Sequence, residues 1–369
     1  MSLTTLPANQ ALAQLEGFDA IVDARTPLEH ALDHLPGAVN WPSLDDDERV
    51  TIGTMYKQVN PFEAKKRGAA MVARNVARHI ERELLDAPRS WRPLVYCWRG
   101  GNRSGALATI LSAIGFQVTL LEGGYKAFRH ALLDDLPRQA QRLSYRVVCG
   151  PTGSGKTRLL HALRAAGAQV LDLEALANHR SSVLGHIPGV RQPSQKHFDT
   201  LIWNALRGMS DQRPVYVESE SKKVGNVGVP DALMDAMRTS PCIDLHLPTD
   251  ERVELLLEDY RFFVTDPEFF CQRLLALNER RGQAQVGEWI SQVRGQQTPK
   301  VVHSLLTEHY DPMYAQSIGR NFVQYGHALP CELSSRSPEA LAQAAQWLMD
   351  HEHLMAQAEP SASRLTSLA

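Results

Sequence analysis

The sequence predicts an α/β protein with two domains, each built on a parallel sheet, and three observations support this fold class. The chain has 369 residues, which is more than one ordinary hydrophobic core accommodates. Short apolar runs alternate with segments whose apolar residues recur at helical spacing, a pattern typical of strand–helix–strand units. Two of these runs lead into glycine-rich loops, in VYCWRGGNRSGA and VVCGPTGSGKT, and a helical pattern follows each loop.

The composition indicates a globular protein of a reducing compartment. Hydrophobic residues make up 43% of the chain and charged residues 22%, and no apolar run approaches the roughly 20 residues of a membrane helix. The first residues lack the basic and apolar segments of a signal peptide, so we expect a cytoplasmic protein without a membrane partner. The five cysteines are scattered and form no C-x-x-C pair, which argues against disulfides and zinc. Because the net charge is −2, an RNA partner would need a local basic patch.

The predicted elements of the first third alternate regularly. Strands are expected in FDAIVDAR, RPLVYC and QVTLLEGG, the last of which runs into a turn at Gly123 and Gly124. Helices are expected over Ala69–Leu85 and in SGALATILSAIG, which ends at Gly115. The polar stretch DDLPRQAQRLS then marks a domain boundary, and the strand–loop–helix order begins again at RVVCGPTGSGKT. Further strands are expected in AQVLDLEALA, PVYVESES and CIDLHLP, followed by a charged helical extension from Thr249 to about Ala328. The predicted bounds are 1–136 for the first domain, 137–144 for a linker, 145–354 for the second domain and 355–369 for a disordered tail.

The first glycine-rich loop places a thiol at the end of a buried strand and before a helix. Backbone N–H groups of such a loop, together with the helix N-terminus, favour a thiolate and hold an anion beside it. A strand-terminal cysteine is often only a small buried hydrophobe, but two glycines and two arginines favour a reactive Cys97. Arg103 is expected to bind oxyanion oxygens, and Ser104 to hydrogen-bond the sulfur. The predicted catalytic residues are Cys97, Arg99, Arg103 and Ser104, and the predicted anion-binding loop also contains Trp98, Gly100, Gly101 and Asn102.

The second loop matches the P-loop pattern G-x-x-x-x-G-K-[ST] in its required context between a strand and a helix. It predicts a bound diphosphate held by Gly150, Thr152, Gly153, Ser154, Gly155, Lys156 and Thr157. Thr157 is also a candidate Mg²⁺ ligand, with Asp172 or Glu218 as the second acidic partner, although either could be a solvated charge at a strand end. The pattern does not specify which diphosphate binds, and Cys149 before the loop is expected only to pack.

A group of arginines follows in the helical extension and has three interpretations. The arginines could form a lid over phosphates or touch an RNA backbone. The third interpretation is a solvated helical face on which they pair with nearby acidic residues. The residues are Arg252, Arg261, Arg273, Arg280 and Arg281.

The first domain resembles the rhodanese family over about residues 1–136. Its opening signature lies in IVDARTPLEHALDHLPGAVNWP, and the matching residues are Asp23, Arg25, Pro27, Glu29, His34, Pro36, Gly37 and Ala38. The resemblance implies that Cys97 carries a terminal sulfur or selenium as a persulfide-type adduct. The C-x5-R spacing from Cys97 to Arg103 is one residue longer than in many single-domain rhodaneses and also fits dual-specificity phosphatases. We expect Asp23, Glu29 and His34 to fasten the first strand and turn rather than to catalyse.

A rhodanese-like domain ahead of a P-loop NTPase-like domain resembles the tRNA 2-selenouridine synthase family over nearly the whole chain. The resemblance implies that 2-thiouridine at the tRNA wobble position is S-geranylated with geranyl diphosphate, and that selenium from selenophosphate then replaces the geranylthio group. It further implies that Cys97 carries the selenium, that the P-loop holds the geranyl diphosphate head, and that Trp98 stacks on the base or packs the loop. It also implies a monomer and, as a further partner, a selenophosphate-supplying enzyme.

Other functions remain open from the residues alone. A C-x5-R phosphatase or sulfurtransferase coupled to a P-loop nucleotide-binding domain is the first alternative, although no separate loop carries a marked catalytic acid. A P-loop kinase with an idle rhodanese module is the second, and a tRNA-binding protein without activity is the third. An apolar stripe of Phe198, Leu201, Ile202 and Trp203 recurs at helical spacing, where core packing is favoured over a groove for a prenyl tail.

Overall fold

The computed structural model describes residues 2–180, 184–185 and 187–356, and it divides into two compact units. The first comprises Met1–Arg138 with Pro193–Asn204, and the second comprises Gln139–Gln192 with Ala205–Ala369. Segment 193–204, which the sequence places inside the second domain, therefore groups with the first. The reason is packing, because Trp203 is buried in one hydrophobic cluster with Leu35, Phe128 and Leu132.

The first unit contains, within the described residues, a five-stranded parallel sheet in the order β1-β5-β4-β2-β3. Its strands are β1 (Ser2–Leu6), β2 (Ala20–Asp23), β3 (Ala38–Asn40), β4 (Pro93–Tyr96) and β5 (Gln117–Leu121). Its helices are α1 (Ala8–Leu12), α2 (Pro27–Leu32), α3 (Asp46–Gln58), α4 (Pro61–Glu83), α5 (Asn102–Ile114) and α6 (Gly124–Gln141).

The second unit contains, again within the described residues, a five-stranded parallel sheet in the order β12-β11-β6-β8-β7 and a short antiparallel pair, β9 with β10. Its strands are β6 (Tyr145–Cys149), β7 (Gln169–Leu171), β8 (Val215–Glu218), β9 (Lys223–Val224), β10 (Val227–Gly228), β11 (Cys242–His246) and β12 (Leu329–Glu332).

Helices surround this sheet and form the extension that follows β11. The first are α7 (Lys156–Ala165), α8 (Leu173–Ala177) and α10 (Asp231–Arg238). Helix α9 (Gln195–Arg207) lies between α8 and α10 in the chain, and most of it belongs to the first unit. The extension contains α11 (Thr249–Asp259), α12 (Arg261–Thr265), α13 (Pro267–Leu274), α14 (Asn278–Arg281), α15 (Gln283–Arg294), α16 (Thr298–Ser304) and α17 (Asp311–Asn321). A π-helical segment, Leu305–Tyr310, joins the last two. The last helices of the described residues are α18 (Pro338–Asp350) and α19 (Glu352–Ala356).

The predicted fold class is confirmed, and local signals explain several element ends. Helix α2 begins with a capping box between Thr26 and Glu29, and α5 ends at Gly115, whose φ of 119° is left-handed. The predicted linker 137–144 contains no extended connector, since α6 continues to Gln141 and β6 starts at Tyr145. The predicted tail lies outside the described residues from 357 onward. No helix in the described ranges is long and apolar enough to cross a membrane.

Strand β1 was not predicted, although it pairs in parallel with β5 over its whole length. Its sequence, SLTTL, is short and only partly apolar, so its pairing depends on a strand more than a hundred residues away. In both sheets the parallel strands send their carboxyl ends to one edge. Cys97 follows β4 at that edge of the first sheet, and Gly150 follows β6 at that edge of the second.

Candidate functional site

The Cys97 loop runs from the end of β4 to the first turn of α5 and encloses the thiol. Cys97 is only 3% exposed, and the Ser104 hydroxyl donates to its sulfur over 3.1 Å. The thiol also lies 3.9 Å from the carbonyl oxygen of Gly101, the residue that precedes α5. The predicted contact between Ser104 and the sulfur is therefore present in the structure.

The pKa of the Cys97 thiol is lowered from its ordinary value by the balance of two effects. Burial acts in the opposite direction and raises the pKa, since it disfavours the thiolate. Hydrogen bonds from the Ser104 hydroxyl and from the backbone of Ser104 and Gly101, with the positive charge of Arg103, outweigh burial. The loop therefore stabilises a thiolate, the nucleophilic form of cysteine.

The first turn of α6 supports the loop from behind. The N–H groups of Tyr125 and Lys126 donate to the carbonyl oxygens of Cys97 and Trp98 at 2.8 and 3.1 Å. Gly124 has a φ of 59°, and a Cβ there would lie 2.2 Å from the Cys97 carbonyl oxygen and 2.6 Å from the Gly100 nitrogen. The loop can adopt this path only because Gly124 has no side chain. Sequence analysis placed Gly124 in a turn but missed this role.

Arg103 is held by an acidic partner from α2. Its Nη1 donates to Glu29 Oε2 over 2.6 Å, and both side chains are largely buried. Burial raises the pKa of Glu29, but the hydrogen bond from Arg103 and other favourable contacts lower it overall. Glu29 thus both caps α2 and fixes Arg103. This contact was not predicted, because the two residues are 74 positions apart.

A buried polar network lies beneath the loop and orders the start of the unit. Asp23 and Arg25 form an ion pair of 2.6 Å with both side chains almost fully buried, and Tyr96 donates to Asp23 over 2.8 Å. The Arg25 guanidinium also lies 4.0 Å from the centre of the Tyr125 ring. Asp23 therefore lies where it can hold the strand and the turn that follows it together, as expected from the sequence.

His34 also lies in a packed setting rather than at the thiol. Its ring stacks on His30 with a centroid distance of 4.0 Å, and its Nδ1 lies 2.9 Å from the His30 carbonyl oxygen. Burial lowers the pKa of His34, so this ring is held mainly neutral.

The remaining residues of this loop are exposed at its rim. Trp98 is 37% exposed and stacks on Tyr125 with a centroid distance of 5.4 Å. Arg99 is exposed, and within the described residues it makes no ion pair or side-chain hydrogen bond. Gly100 has a φ of 67°, Gly101 caps α5 and Asn102 is its first residue. The loop thus presents a buried sulfur with one free and one paired arginine around it.

The P-loop follows β6 and is shaped by left-handed glycines and a buried serine. Gly150, Gly153 and Gly155 have φ values of 153°, 76° and 88°, and Gly155 precedes α7. A Cβ at Gly150 would lie 2.5 Å from the hydroxyl oxygen of Ser154, which is fully buried and has no partner among the described residues. This packing fixes the path of the loop.

Lys156 folds back over its own loop. Its Nζ donates to the carbonyl oxygens of Gly150 and Pro151 at 2.8 and 3.4 Å, and it makes no ion pair within the described part of the chain. Both acceptors are neutral, so the ammonium charge remains available to an anion. The structure therefore brings the predicted lysine to the loop in a form that suits a diphosphate.

Arg252 belongs to the scaffold of the P-loop and not to a solvated face. Its guanidinium donates to the Thr152 carbonyl oxygen at 2.7 and 3.0 Å and pairs with Asp311 at 2.6 Å, while the side chain is only 6% exposed. The solvated position considered for Arg252 is therefore wrong, whereas its pairing with an acidic residue is present. A lid over phosphates and a contact with an RNA backbone stay predictions. The carbonyl contact of Arg252 was not foreseeable, because a backbone oxygen leaves no sequence signal.

The other four arginines of that group have different surroundings. Arg281 donates to His309 Nδ1 over 2.9 Å, and Arg280 lies 3.8 Å from the sulfur of Met313. Arg261 is exposed at the start of α12, whereas Arg273 is half-buried on α13. Among the described residues, these contacts do not bring the four arginines together at one anion-binding site.

Acidic residues gather beside Thr157 at the edge of the second sheet. Thr157 donates to Glu174 over 3.2 Å, and the Glu174 N–H donates to Glu218 over 3.0 Å. Asp172 already accepts from the Ala175 N–H at 2.8 Å and lies 3.0 Å from His161. Glu218 Oε2 is buried without a partner in the described residues, which makes Glu218 the better candidate metal ligand of the two. Glu174 was missed by the sequence analysis.

The electrostatics of this acidic cluster also favour Glu218 as the candidate metal ligand. Glu218 is almost fully buried at the end of β8, directly beside the strand that leads into the P-loop. Burial, followed by the charges of Asp172, Glu220 and Glu174, holds the pKa of Glu218 well above its ordinary range. A cation would remove this penalty. The described residues contain no group of three His, Cys, Asp or Glu side chains arranged to hold a metal by themselves.

The apolar stripe on α9 is core, as favoured from its spacing. Phe198, Ile202 and Trp203 are at most 1% exposed, and the Trp203 ring N–H donates to Asp135 over 2.8 Å. Leu201, between them, is half-buried. The stripe is filled by protein, so a groove for a prenyl tail at this place is wrong.

Comparisons with known proteins agree with this geometry. The model of the rhodanese-like domain matches residues 7–131, and that of the tRNA 2-selenouridine synthase AAA domain matches residues 143–273. The tRNA 2-selenouridine synthase of Nitrosomonas europaea is 39% identical over 258 residues, covering 69% of this chain and 66% of the relative.

Two further relatives with the same name match over most of their length. The protein from Nitrosomonas eutropha is 30% identical and is covered to 96%, with 91% of this chain matched. The protein from Alcanivorax borkumensis is 33% identical and is covered to 90%, with 81% of this chain matched. With a thiol loop and a P-loop on separate parallel sheets, and with relatives matched almost from end to end, the chain belongs to the tRNA 2-selenouridine synthase family.

Proposed function

We propose that this protein is a tRNA-modifying enzyme that converts 2-thiouridine at the wobble position to 2-selenouridine in two steps. The first step S-geranylates the thiouridine with geranyl diphosphate, and the second replaces the geranylthio group with selenium from selenophosphate. One observation carries the proposal: a thiolate-stabilising loop and a diphosphate-type loop occur in one chain. Neither loop alone supplies both chemistries.

The P-loop suits the alkylation step. The thiouridine sulfur forms a bond to the allylic carbon of the geranyl group while the bond from that carbon to oxygen breaks, and diphosphate leaves with the electron pair. Charge therefore develops on the diphosphate, where the glycine-rich backbone and the unpaired ammonium of Lys156 stabilise it. The alkylated sulfur can afterwards depart as a thiol, which a thiocarbonyl sulfur does poorly.

Mg²⁺ fits beside the P-loop, and Thr157 with Glu218 would hold it. The fit rests on the partnerless buried oxygen of Glu218 and on the chain of contacts from Thr157 through Glu174. Bound there, the cation would neutralise diphosphate charge.

The Cys97 loop suits the selenium step. We propose that the Cys97 thiolate carries the selenium as an S–Se adduct, whose terminal selenium attacks C2 of the base while geranylthiolate leaves. Formation of the S–Se bond from selenophosphate leaves phosphorus as phosphite, and a second thiol must later take the Cys97 sulfur into a disulfide to free the selenium. Direct attack by the selenophosphate selenium would release phosphate instead. Phosphorus NMR of the products separates these two routes.

The test of the whole proposal is mass spectrometry of nucleosides from 2-thiouridine tRNA incubated with protein, geranyl diphosphate and selenophosphate. The wild type should form 2-selenouridine, Cys97→Ala should accumulate geranylated thiouridine, and Lys156→Ala should form neither product. Arg164→Ala, an exposed change on the same helix α7, is the matched control and should behave as wild type.

A wild type that leaves the thiouridine unchanged would refute the proposal. Phosphate release from an aryl phosphate, lost in Cys97→Ser, would then favour the C-x5-R phosphatase. Nucleotide turnover that survives the loss of Cys97 would favour a P-loop kinase.

A further inference from the structure

An apolar cavity that encloses about 50 Å³ and opens to solvent lies within the second unit, beside the P-loop. Six of the residues that line it are Thr152, Leu256, Leu257, Tyr260, Phe263 and Leu306. Thr152 is part of the P-loop, and a Cβ on the neighbouring Gly153 would lie 3.0 Å from the side chain of Leu256. The cavity therefore borders the P-loop directly.

The walls of the cavity come from the helical extension. Leu256, Leu257 and Tyr260 lie along α11 and just after it, and Phe263 lies on α12. The opposite side includes Leu306 in the π-helical segment. A π-helical turn is wider than an α-helical one and occurs often at functional sites. The sequence pattern indicated only a charged helical region here, because the apolar residues alternate with many charged ones.

The chemistry of the lining distinguishes between classes of diphosphate. No charged side chain of the described residues lines the cavity, and its polar side chains are two threonines and two tyrosines. A nucleoside would bring a base and a ribose whose polar groups need placed hydrogen-bond partners. A hydrocarbon chain needs none, and it gains free energy for each methylene that leaves water.

We propose that this cavity binds the hydrocarbon chain of an allylic diphosphate whose head lies in the P-loop. The inference rests on the proposed function and deepens it, because it says what the P-loop ligand carries and which residues hold that part. It also relocates the chain-binding site from the filled α9 stripe to the helical extension. Leu257 is a suitable probe, since it lines the cavity and is only half-buried.

The first test is equilibrium binding of geranyl diphosphate, inorganic pyrophosphate and ATP to the full chain. Wild type should bind geranyl diphosphate at least about tenfold more tightly than pyrophosphate, because the chain adds buried apolar surface. Leu257→Asn should weaken geranyl diphosphate about tenfold and leave pyrophosphate unchanged, because an amide of similar size faces the chain. Leu275→Asn, at a residue 51% exposed and outside the cavity, is the control and should change neither.

A second measurement needs no variant. A geranyl diphosphate analogue with a diazirine at its distal end should label peptides from residues 256–264 or 302–310 of the wild type, and pyrophosphate should compete. Labels confined to other peptides, or unchanged geranyl diphosphate affinity in a folded Leu257→Asn, would overturn the assignment.

Failure of the cavity assignment and failure of the proposed function give different results. If geranylated thiouridine still forms while the labels lie elsewhere, the cavity assignment fails and the proposed function stands. If wild type binds ATP in preference to geranyl diphosphate and forms no geranylated nucleoside, both fail.

Discussion

The Cys97 loop and the P-loop have the same local backbone arrangement, but they differ in whether their cationic side chain is paired with a carboxylate. Each follows a buried parallel strand, turns through left-handed glycines and ends at the N-terminus of a helix. In the first loop Arg103 is bound to a carboxylate, Glu29. In the second, the contacts of Lys156 among the described residues are with neutral carbonyl oxygens of its own loop. The first loop therefore offers a partly neutralised surface around a thiolate, and the second offers an uncompensated positive charge.

This difference matches the anions that the two loops are proposed to meet. A diphosphate leaving group carries several negative charges and gains most from an unpaired ammonium. A thiolate already supplies a negative charge, so a strongly positive loop would hold it as an inert ion pair and weaken its attack. Elements behind each loop also differ, since a glycine packs under the first and a buried arginine under the second. Each difference can be altered separately.

The largest effect is expected from Gly124→Ala, which disturbs only the first loop. The new Cβ would overlap the Cys97 carbonyl oxygen and the Gly100 nitrogen, both backbone atoms, at a left-handed φ. A displacement of about 1 Å in a reacting group costs on the order of a hundredfold in rate. Selenation should therefore fall about a hundredfold while S-geranylation continues, as measured by nucleoside mass spectrometry.

The control for this change is Gly105→Ala, on the neighbouring helix α5, where an added Cβ meets nothing within 4 Å. It should leave both products at wild-type levels. Equal loss of both products in Gly124→Ala would mean that the loops do not work separately.

The next effect is expected from Arg252→Met, which disturbs only the P-loop. The change removes the clamp on Thr152 and leaves Asp311, itself about one-third exposed, without its cation. Loss of one partner of a buried ion pair costs about 3–5 kcal/mol, and the exposure of Asp311 reduces this to about 2 kcal/mol. Chemical denaturation should show this loss, and S-geranylation should fall at least about tenfold.

Arg294→Met is the matched control, because Arg294 pairs with Glu268 on the surface, where both side chains are more than half exposed. Because this pair is exposed to solvent, its loss should not measurably change the stability in the same denaturation experiment. If Arg252→Met were as mild, the clamp on Thr152 would have no part in shaping the loop.

The sequence predicted what each loop contains and missed what holds it. Strand, glycine and helix signals lie next to one another in the chain, so both loops and the Ser104 contact could be predicted from local pattern. The residues that hold the loops in place, Glu29, Gly124 and Arg252, are distant from them in the sequence. Two of these residues contact backbone atoms of the loops. Backbone acceptors leave no trace in residue type. The apolar cavity was missed for the same reason, since its lining comes from several helices.

A smaller effect is expected from Ser104→Ala, which alters the thiolate without moving the loop. Ser104 donates to the Cys97 sulfur, so its loss should raise the pKa of that thiol and lower the thiolate fraction at neutral pH. The pH profile of iodoacetamide alkylation should have its midpoint below that of an ordinary free cysteine in wild type and higher in the variant.

Peptide mass spectrometry assigns the alkylated cysteine in this experiment. The pKa values of Cys149, Cys271 and Cys331 are raised, for Cys331 to about 11, so these thiols should react more slowly than Cys97. A profile unchanged by Ser104→Ala would show that the backbone and Arg103 stabilise the thiolate without the hydroxyl.

The smallest effect is expected from Glu29→Gln, which makes the first loop more like the second. A glutamine keeps the capping geometry of α2 but removes the charge that pairs with Arg103. With its charge uncompensated, Arg103 should attract an anionic donor more strongly, and the KM for selenophosphate should fall about two- to fivefold, a change of about 0.5–1 kcal/mol. Glu63, which lies half-exposed in the first turn of α4 and pairs with Lys66, provides the control Glu63→Gln, with no expected change in KM. A rise in KM for Glu29→Gln would instead mean that the carboxylate matters by positioning Arg103, and that the paired state of the first loop is its working state.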